Sequence, residues 1–419
     1  MNGRIGSYVL VFVVLAGMGF SHSHGLSSNA PGMDDLFLPV DFYPSNSTEA
    51  VVENVSEEPE APGFLAFTVS STYSVHTVHG LSNLRKYLHE ISVLQKLKND
   101  KRLGGGIAAG AVDSVKDTVV GFKNLVVDPI GSVTALGRGF GKLGDRLGDA
   151  FRKKEKGEKG DDSYLLSSTK REVADNLGVD VYTRNAYLQK KLDLMATARV
   201  GGRGAMAIAT FFLPVGVIAS AVMTAGSINK AADELVNDTD RRDLYMLNRK
   251  ALLNLGIARE KVIRFLNHSY YTPRELTYFR FYLERLREAE GFESILDAAS
   301  EAATGVPSDK ILHEAQIVAD ATADSSQITE IVPTREGILV EMQHKVFLAT
   351  AYDYLDVSPL SESLAKRVLA FEQIVGKQSA EIRSGGAVSC RLDDALFLKG
   401  IGVEKMCLFD KAAGESLRR

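Results

Sequence analysis

Ser167 and Lys170 stand three residues apart in a stretch with helical periodicity, the spacing of a Ser-x-x-Lys nucleophile and its base. No Lys-Thr-Gly or Ser-Asp-Asn companion accompanies them. No Gly-x-Ser-x-Gly elbow or His-Glu-x-x-His pair occurs either, so no catalytic residue is assigned. Gly137–Arg138–Gly139–Phe140–Gly141–Lys142 suggests a loop that cradles phosphate. Leu143, however, stands where a Ser or Thr would ligate magnesium, the first glycine is misplaced, and no clear strand precedes it.

His76, His79 and His89 lie close together, with Glu90 adjacent. If 75–79 is a strand, His76 and His79 point to opposite faces and cannot share an ion. Cleavage after Ser21 would leave His22–Ser23–His24 at the amino end, a square-planar nitrogen set for Cu(II) or Ni(II). That set depends on the cleavage site, and no metal or cofactor is assigned. Cys390 and Cys407 are the only two cysteines. In an oxidising compartment they can close a loop that contributes about 3 kcal/mol, the alternative being two buried thiols. Asn46, Asn54, Asn237 and Asn267 each begin an Asn-x-Ser/Thr acceptor, relevant only in a host that glycosylates them.

Residues 1–21 read as a secretory signal, with Arg4 in a positive start, an apolar run from Tyr8 to Ala16, and small Gly19 and Ser21 before the cut. The expected location is exported, in the periplasm or associated with the cell envelope. The net charge of −4 gives no reason to expect nucleic acid as a partner. Residues 22–62 hold eight acidic side chains, several prolines and no Lys or Arg, and read as a disordered acidic leader.

The best-defined pattern lies in 107–151. Ala108, Val112, Val115, Val119, Phe122 and Val126 recur at spacings of three and four, and after Asp128–Pro129 the rhythm resumes through Val133, Leu136, Phe140, Leu143, Leu147 and Ala150. Gly137, Gly141, Gly144 and Gly148 run beside the second seam. Four helical glycines cost roughly 3–4 kcal/mol against alanine, so this helix needs a close neighbour. One reading packs both helices inside the core. The other lays them on a membrane surface or an envelope partner through Lys123, Arg138, Phe140, Lys142, Leu143, Arg146 and Leu147.

From Gly204 to Asn229 no side chain is charged, a length that could span a bilayer. Pro214 near its middle, and basic residues on the flank that would lie outside, favour a buried or partly inserted hairpin instead. The expected fold is α+β and predominantly helical: a helical bundle with this Gly/Ala-rich buried hairpin and a small C-terminal α+β module. Strands and the Gly-striped helices occupy 63–151, a charged linker 152–163, a helical domain 164–325, and the α+β module 326–419. Within that module Ile328–Val332, Gly337–Met342 and Val346–Tyr352 read as strands, Ser361–Val375 as a helix and Met406–Phe409 as a final strand.

Leu177–Gly178–Val179–Asp180–Val181–Tyr182–Thr183–Arg184–Asn185 and the phrases from Leu247–Asn248–Arg249 to Tyr270–Tyr271–Thr272–Pro273 resemble those of uncharacterised exported bacterial proteins, over about 80–290. The resemblance implies export and no activity. The reading is therefore a non-enzymatic exported envelope protein that meets a membrane surface or partner through 107–151. The alternative is a hydrolase or ligand-binding enzyme whose site is assembled from distant residues.

Overall fold

A computed structural model of the chain describes residues 50–58, 61–99, 161–200, 227–323 and 327–405. They form an α+β fold rich in helix. Strands β1 (Ala50–Glu57), β2 (Leu65–Ser71) and β3 (Val75–His79) make an antiparallel sheet in that order. The acidic leader is corrected here, because its residues 50–57 are β1, paired along the length of β2. Acidic side chains on a half-solvated edge strand are tolerated, so composition misled.

Leu84, Leu88, Ile91, Leu94 and Leu97 give α1 (Leu81–Asn99) its buried stripe. Its first half packs on β2 and β3, with Leu84 and Leu88 against Phe67 and Val69. Its second half meets α2 (Asp161–Asn176) and α3 (Ala186–Val200) through Ile91, Leu94, Val173, Leu188 and Leu192. The expected linker 152–163 therefore ends at residue 160.

The next helices are α4 (Ser227–Asp238), α5 (Arg241–Asn254) and α6 (Arg259–Leu266), followed by α7 (Pro273–Leu286), α8 (Glu293–Glu301) and α9 (Val306–Asp320). Asp240 caps α5, accepting from the backbone of Arg242 and Asp243. Gly256 ends that helix at φ +84. The stretch Ala251–Leu255, which by itself reads as a short helix stopped by Gly256, is thus the last turn and cap of a longer one. Thr272 and Glu275 form a capping box on α7, with Pro273 at its first position. That helix is buried nearly all round, which suits the centre of a helical layer.

The C-terminal sheet has the order β10-β8-β6-β5-β4, formed by β4 (Ile328–Pro333), β5 (Ile338–Met342), β6 (Val346–Thr350), β8 (Ala380–Ser384) and β10 (Ile401–Lys405). β6, β8 and β10 are parallel, and β4 and β5 are antiparallel additions. The parallel strands are joined by α10 (Pro359–Val375) and α11 (Cys390–Phe397). Short β7 (Tyr354–Leu355) and β9 (Ala387–Val388) pair beyond β6 and β8. Strand alternation splits the core into two: Ile338, Val340, Phe347 and Ala349 face α9, while Leu339, Val346, Leu348 and Ile382 face α10 and α11.

The expected final strand Met406–Phe409 lies outside the described residues, as do the signal segment 1–21, the whole of 107–151, and Gly204–Gly226 of the charge-free stretch. Its remaining residues, 227–229, open α4. No described helix is long and apolar enough to cross a membrane.

Candidate functional site

The densest gathering of ionisable side chains forms where α1, α4, α7 and α9 meet the loop 177–185. Arg274, in the first turn of α7, is the hub. Its Nε donates to Asp180 Oδ1 at 3.0 Å, its Nη1 to Asp233 of α4, and its Nη2 to Asn237 Oδ1 at 3.0 Å. Lys86 of α1 reaches the other oxygen of Asp180 at 3.1 Å. Burial alone would raise the Asp180 carboxyl, but Lys86 and Arg274 hold it well below the usual carboxylate range. Tyr278, one turn further along α7, donates to Asp233 at 2.6 Å. Burial nevertheless raises Asp233, against the pull of Arg274.

A second hub adjoins the first. Arg184 donates to Glu275 at 2.7 Å and to the Tyr270 carbonyl at 3.1 Å, and its guanidinium lies 4.1 Å from the Tyr270 ring centroid. Glu275 accepts at the same time from the Thr272 amide at 2.7 Å, so the carboxylate that completes the α7 cap also anchors the loop 177–185. Tyr270 donates to Asp309 of α9 at 2.7 Å, and Asn83 of α1 donates to the same carboxyl at 2.8 Å. Burial raises Asp309 and lowers His313 one turn along the helix. Thr183 donates to Glu90, whose carboxyl burial also raises.

The third part lies past the carboxyl end of β6, where sheets with parallel strands commonly bind ligands. Here that place is taken by the chain itself. Asp353 accepts from the amides of Leu65 at 2.8 Å and Leu81 at 2.7 Å, while its own amide donates to the Gly63 carbonyl at 2.9 Å. The carboxyl thus fastens both β2 and the start of α1 to the C-terminal sheet. Burial pushes it up to about 6 despite the two amide bonds. Gly386 is required beside it, since a Cβ there would sit 2.2 Å from the Tyr352 carbonyl oxygen and 2.3 Å from that of Asp353.

Each carboxylate and guanidinium named here is already engaged by an opposite charge, an amide or a hydroxyl. Such an arrangement binds elements together. Two adjoining open clefts, of about 790 and 780 Å³, run along α5 and share Asp238, Leu247, Lys250 and Asn254. Of the carboxylates in the first, Asp240 is committed to capping α5.

The residues singled out for chemistry do not converge. Ser167 accepts from Arg171 at 2.9 Å, while Lys170 pairs with Asp193 at 2.6 Å, so the two are engaged separately. His79 pairs with Glu58 at 2.7 Å, His76 lies against the Tyr87 ring, and His89 bonds to the Gly178 carbonyl at 2.9 Å. Among the described residues no group of three His, Cys, Asp or Glu is placed to hold a metal. Ser389 caps α11, which begins at Cys390. Cys407 lies outside the described residues, as do the contact residues Lys123, Arg138, Phe140, Lys142, Leu143, Arg146 and Leu147. The same holds for Gly137–Lys142, His22 and His24.

The network itself was missed as a unit. Asn237, read from sequence only as a glycosylation acceptor, bonds Asp175 at 2.7 Å through its amide nitrogen and Arg274 through its oxygen. One signal was available. The two phrases that carried the resemblance, 177–185 and 247–273, supply Asp180, Thr183, Arg184 and Tyr270, and meet at Arg274 and Glu275 just beyond. No protein-family description, curated protein or solved structure matches the chain.

Proposed function

We propose that this is a non-enzymatic exported protein of the cell envelope, whose folded body presents the Gly-striped segment 107–151 to a membrane surface or an envelope partner. In this reading Lys123, Arg138, Lys142 and Arg146 meet anionic groups, while Phe140, Leu143 and Leu147 enter the apolar layer. The charge-free segment 204–226 forms a buried or partly inserted hairpin within a helical bundle. The resemblance over 80–290 supports export.

The observation that carries the reading is the convergence on Arg274. Segment 101–160 leaves from α1 and returns to α2, and segment 201–226 leaves from α3 and returns to α4. Lys86 of α1, Asp180 between α2 and α3, and Asp233 and Asn237 of α4 all join the one guanidinium network. Arg171 of α2 adds a bond to the Asn237 carbonyl at 3.1 Å. This buried ionic brace locks together the helices that carry the two segments, at the ends of α1, α2 and α3 away from where those segments attach, and so gives them a fixed mount.

Fractionation of expressing cells, followed by a high-salt wash, tests compartment and attachment together. The expected result is an exported protein in the envelope fraction, released in part by salt. With purified protein, changing Lys123, Arg138, Lys142 and Arg146 to Gln should abolish the salt-sensitive part of binding to phosphatidylglycerol vesicles. Recovery in the cytosol, or vesicle binding unaffected by the four changes, overturns the reading.

A further inference from the structure

The parallel register aligns the starts of three strands, Val346 with Ala380 and Ala380 with Ile401. Helices α10 and α11 both run back to that end, on the face that holds Leu364, Val368, Leu392 and Leu396. Their last residues therefore emerge at the same end of the sheet. At this end Ile374 is 81% exposed, Phe397 77% and Leu398 85%, the highest values among the large apolar side chains of the described residues. Phe397 and Leu398 sit on a tight turn closed by bonds from the Lys399 and Gly400 amides to the carbonyls of Leu396 and Phe397, with Gly400 at φ +76. The turn holds both side chains outward on a rigid stem.

We infer that this tip, Ile374 with Phe397 and Leu398, inserts into the outer layer of a lipid membrane. This is a second attachment point on the C-terminal module, and it rests on the membrane-surface reading of the whole protein. Three side chains exposed to this degree offer roughly 450 Å² of apolar surface, against about 800 Å² per partner for a stable protein interface. The patch is thus small for a second copy and sufficient for shallow insertion. Lys399 follows the tip directly and can reach the headgroups while its stem stays apolar. Asp394, one turn before Leu398, limits the depth to the tip and balances the charge of Lys399, so this contact depends on burial rather than on anionic lipid and should persist at high salt.

The chain contains no Trp, so Phe397→Trp supplies a single reporter. With the full-length variant and vesicles of phosphatidylcholine and phosphatidylglycerol, its emission should shift to the blue at 0.5 M salt and be quenched by brominated lipid. Phe397→Ser with Leu398→Ser, which leaves the core untouched, should lower vesicle partitioning at 0.5 M salt by about tenfold or more, with an unchanged melting temperature. Emission unaffected by vesicles overturns the proposal. So does emission already blue in their absence, which would mean cover by residues 406–419. A concentration-dependent dimer dispersed by the double Ser variant assigns the patch to a second copy and also overturns it. The low-salt loss expected from the Lys123, Arg138, Lys142 and Arg146 changes is independent. Loss there without loss in the Ser variant removes the tip and keeps 107–151, and the reverse keeps the tip alone.

Discussion

Replacing Arg274 with Met tests whether the network is a brace. Met fills much of the same volume but leaves Asp180 and Asp233 without the guanidinium and Asn237 without its donor. The Arg274 side chain is 5% exposed, Asp180 1% and Asp233 17%, so water cannot readily replace what is lost. Breaking a buried pair from one side costs about 3–5 kcal/mol. Lys86 stays 3.1 Å from Asp180 and keeps part of its compensation, which places the expected loss near 3 kcal/mol, the lower end of that range. For a chain of this size that is a fall in melting temperature of about 3–5 °C. Calorimetry at pH 7 measures it, with Arg287→Met as control, because the Arg287–Glu288 pair is largely exposed and should matter little. The cost should also depend on pH. Asp180 is depressed in the folded state, so its contribution is present above about pH 4 and is lost as pH falls through the folded value. A loss below 1 kcal/mol at pH 7, or one equal to that of the control, would refute the brace.

Asp353→Asn retains one acceptor but turns an N–H₂ group toward a backbone amide, a cost of about 1–3 kcal/mol. Hydrogen exchange should show the Leu65 and Leu81 amides losing protection while β5 keeps its own. Burial raises Glu314 to about 7, so its folded form retains a proton that the unfolded chain has already released, and stability declines as pH rises from about 4.5 to 7. Glu314→Gln should therefore be more stable than the parent at pH 8, by about 2–3 kcal/mol, and equal to it at pH 4.5. Equal stability at both values would show that the carboxyl is not perturbed. Gly386→Ala forces a methyl group against two backbone carbonyls and should cost about 3 kcal/mol or prevent folding, as read by urea denaturation. A change within 0.5 kcal/mol would mean that β7 and β9 shift freely.

Local patterns were legible where one short stretch holds the whole cause. The stripe Leu84–Leu88–Ile91–Leu94 defines α1, Asp240 and Thr272–Pro273 start α5 and α7, and the alternation in 328–352 marks three strands. The edges were less legible. β1 carries acids that a solvated edge strand accepts, and β8 to β10 are short segments whose partners lie far along the chain. Sequence by itself determined the α+β character, helix caps and the apolar stripe of α1, because backbone hydrogen bonding and side-chain periodicity act over a few residues. Only the tertiary structure decided that Lys86, Asp180, Asp233 and Arg274 share one buried site and that Asp353 fastens β2 and α1. Charges pair across space, and the separations involved, 94 residues from Asp180 to Arg274 and 288 from Leu65 to Asp353, leave no periodic trace in the chain.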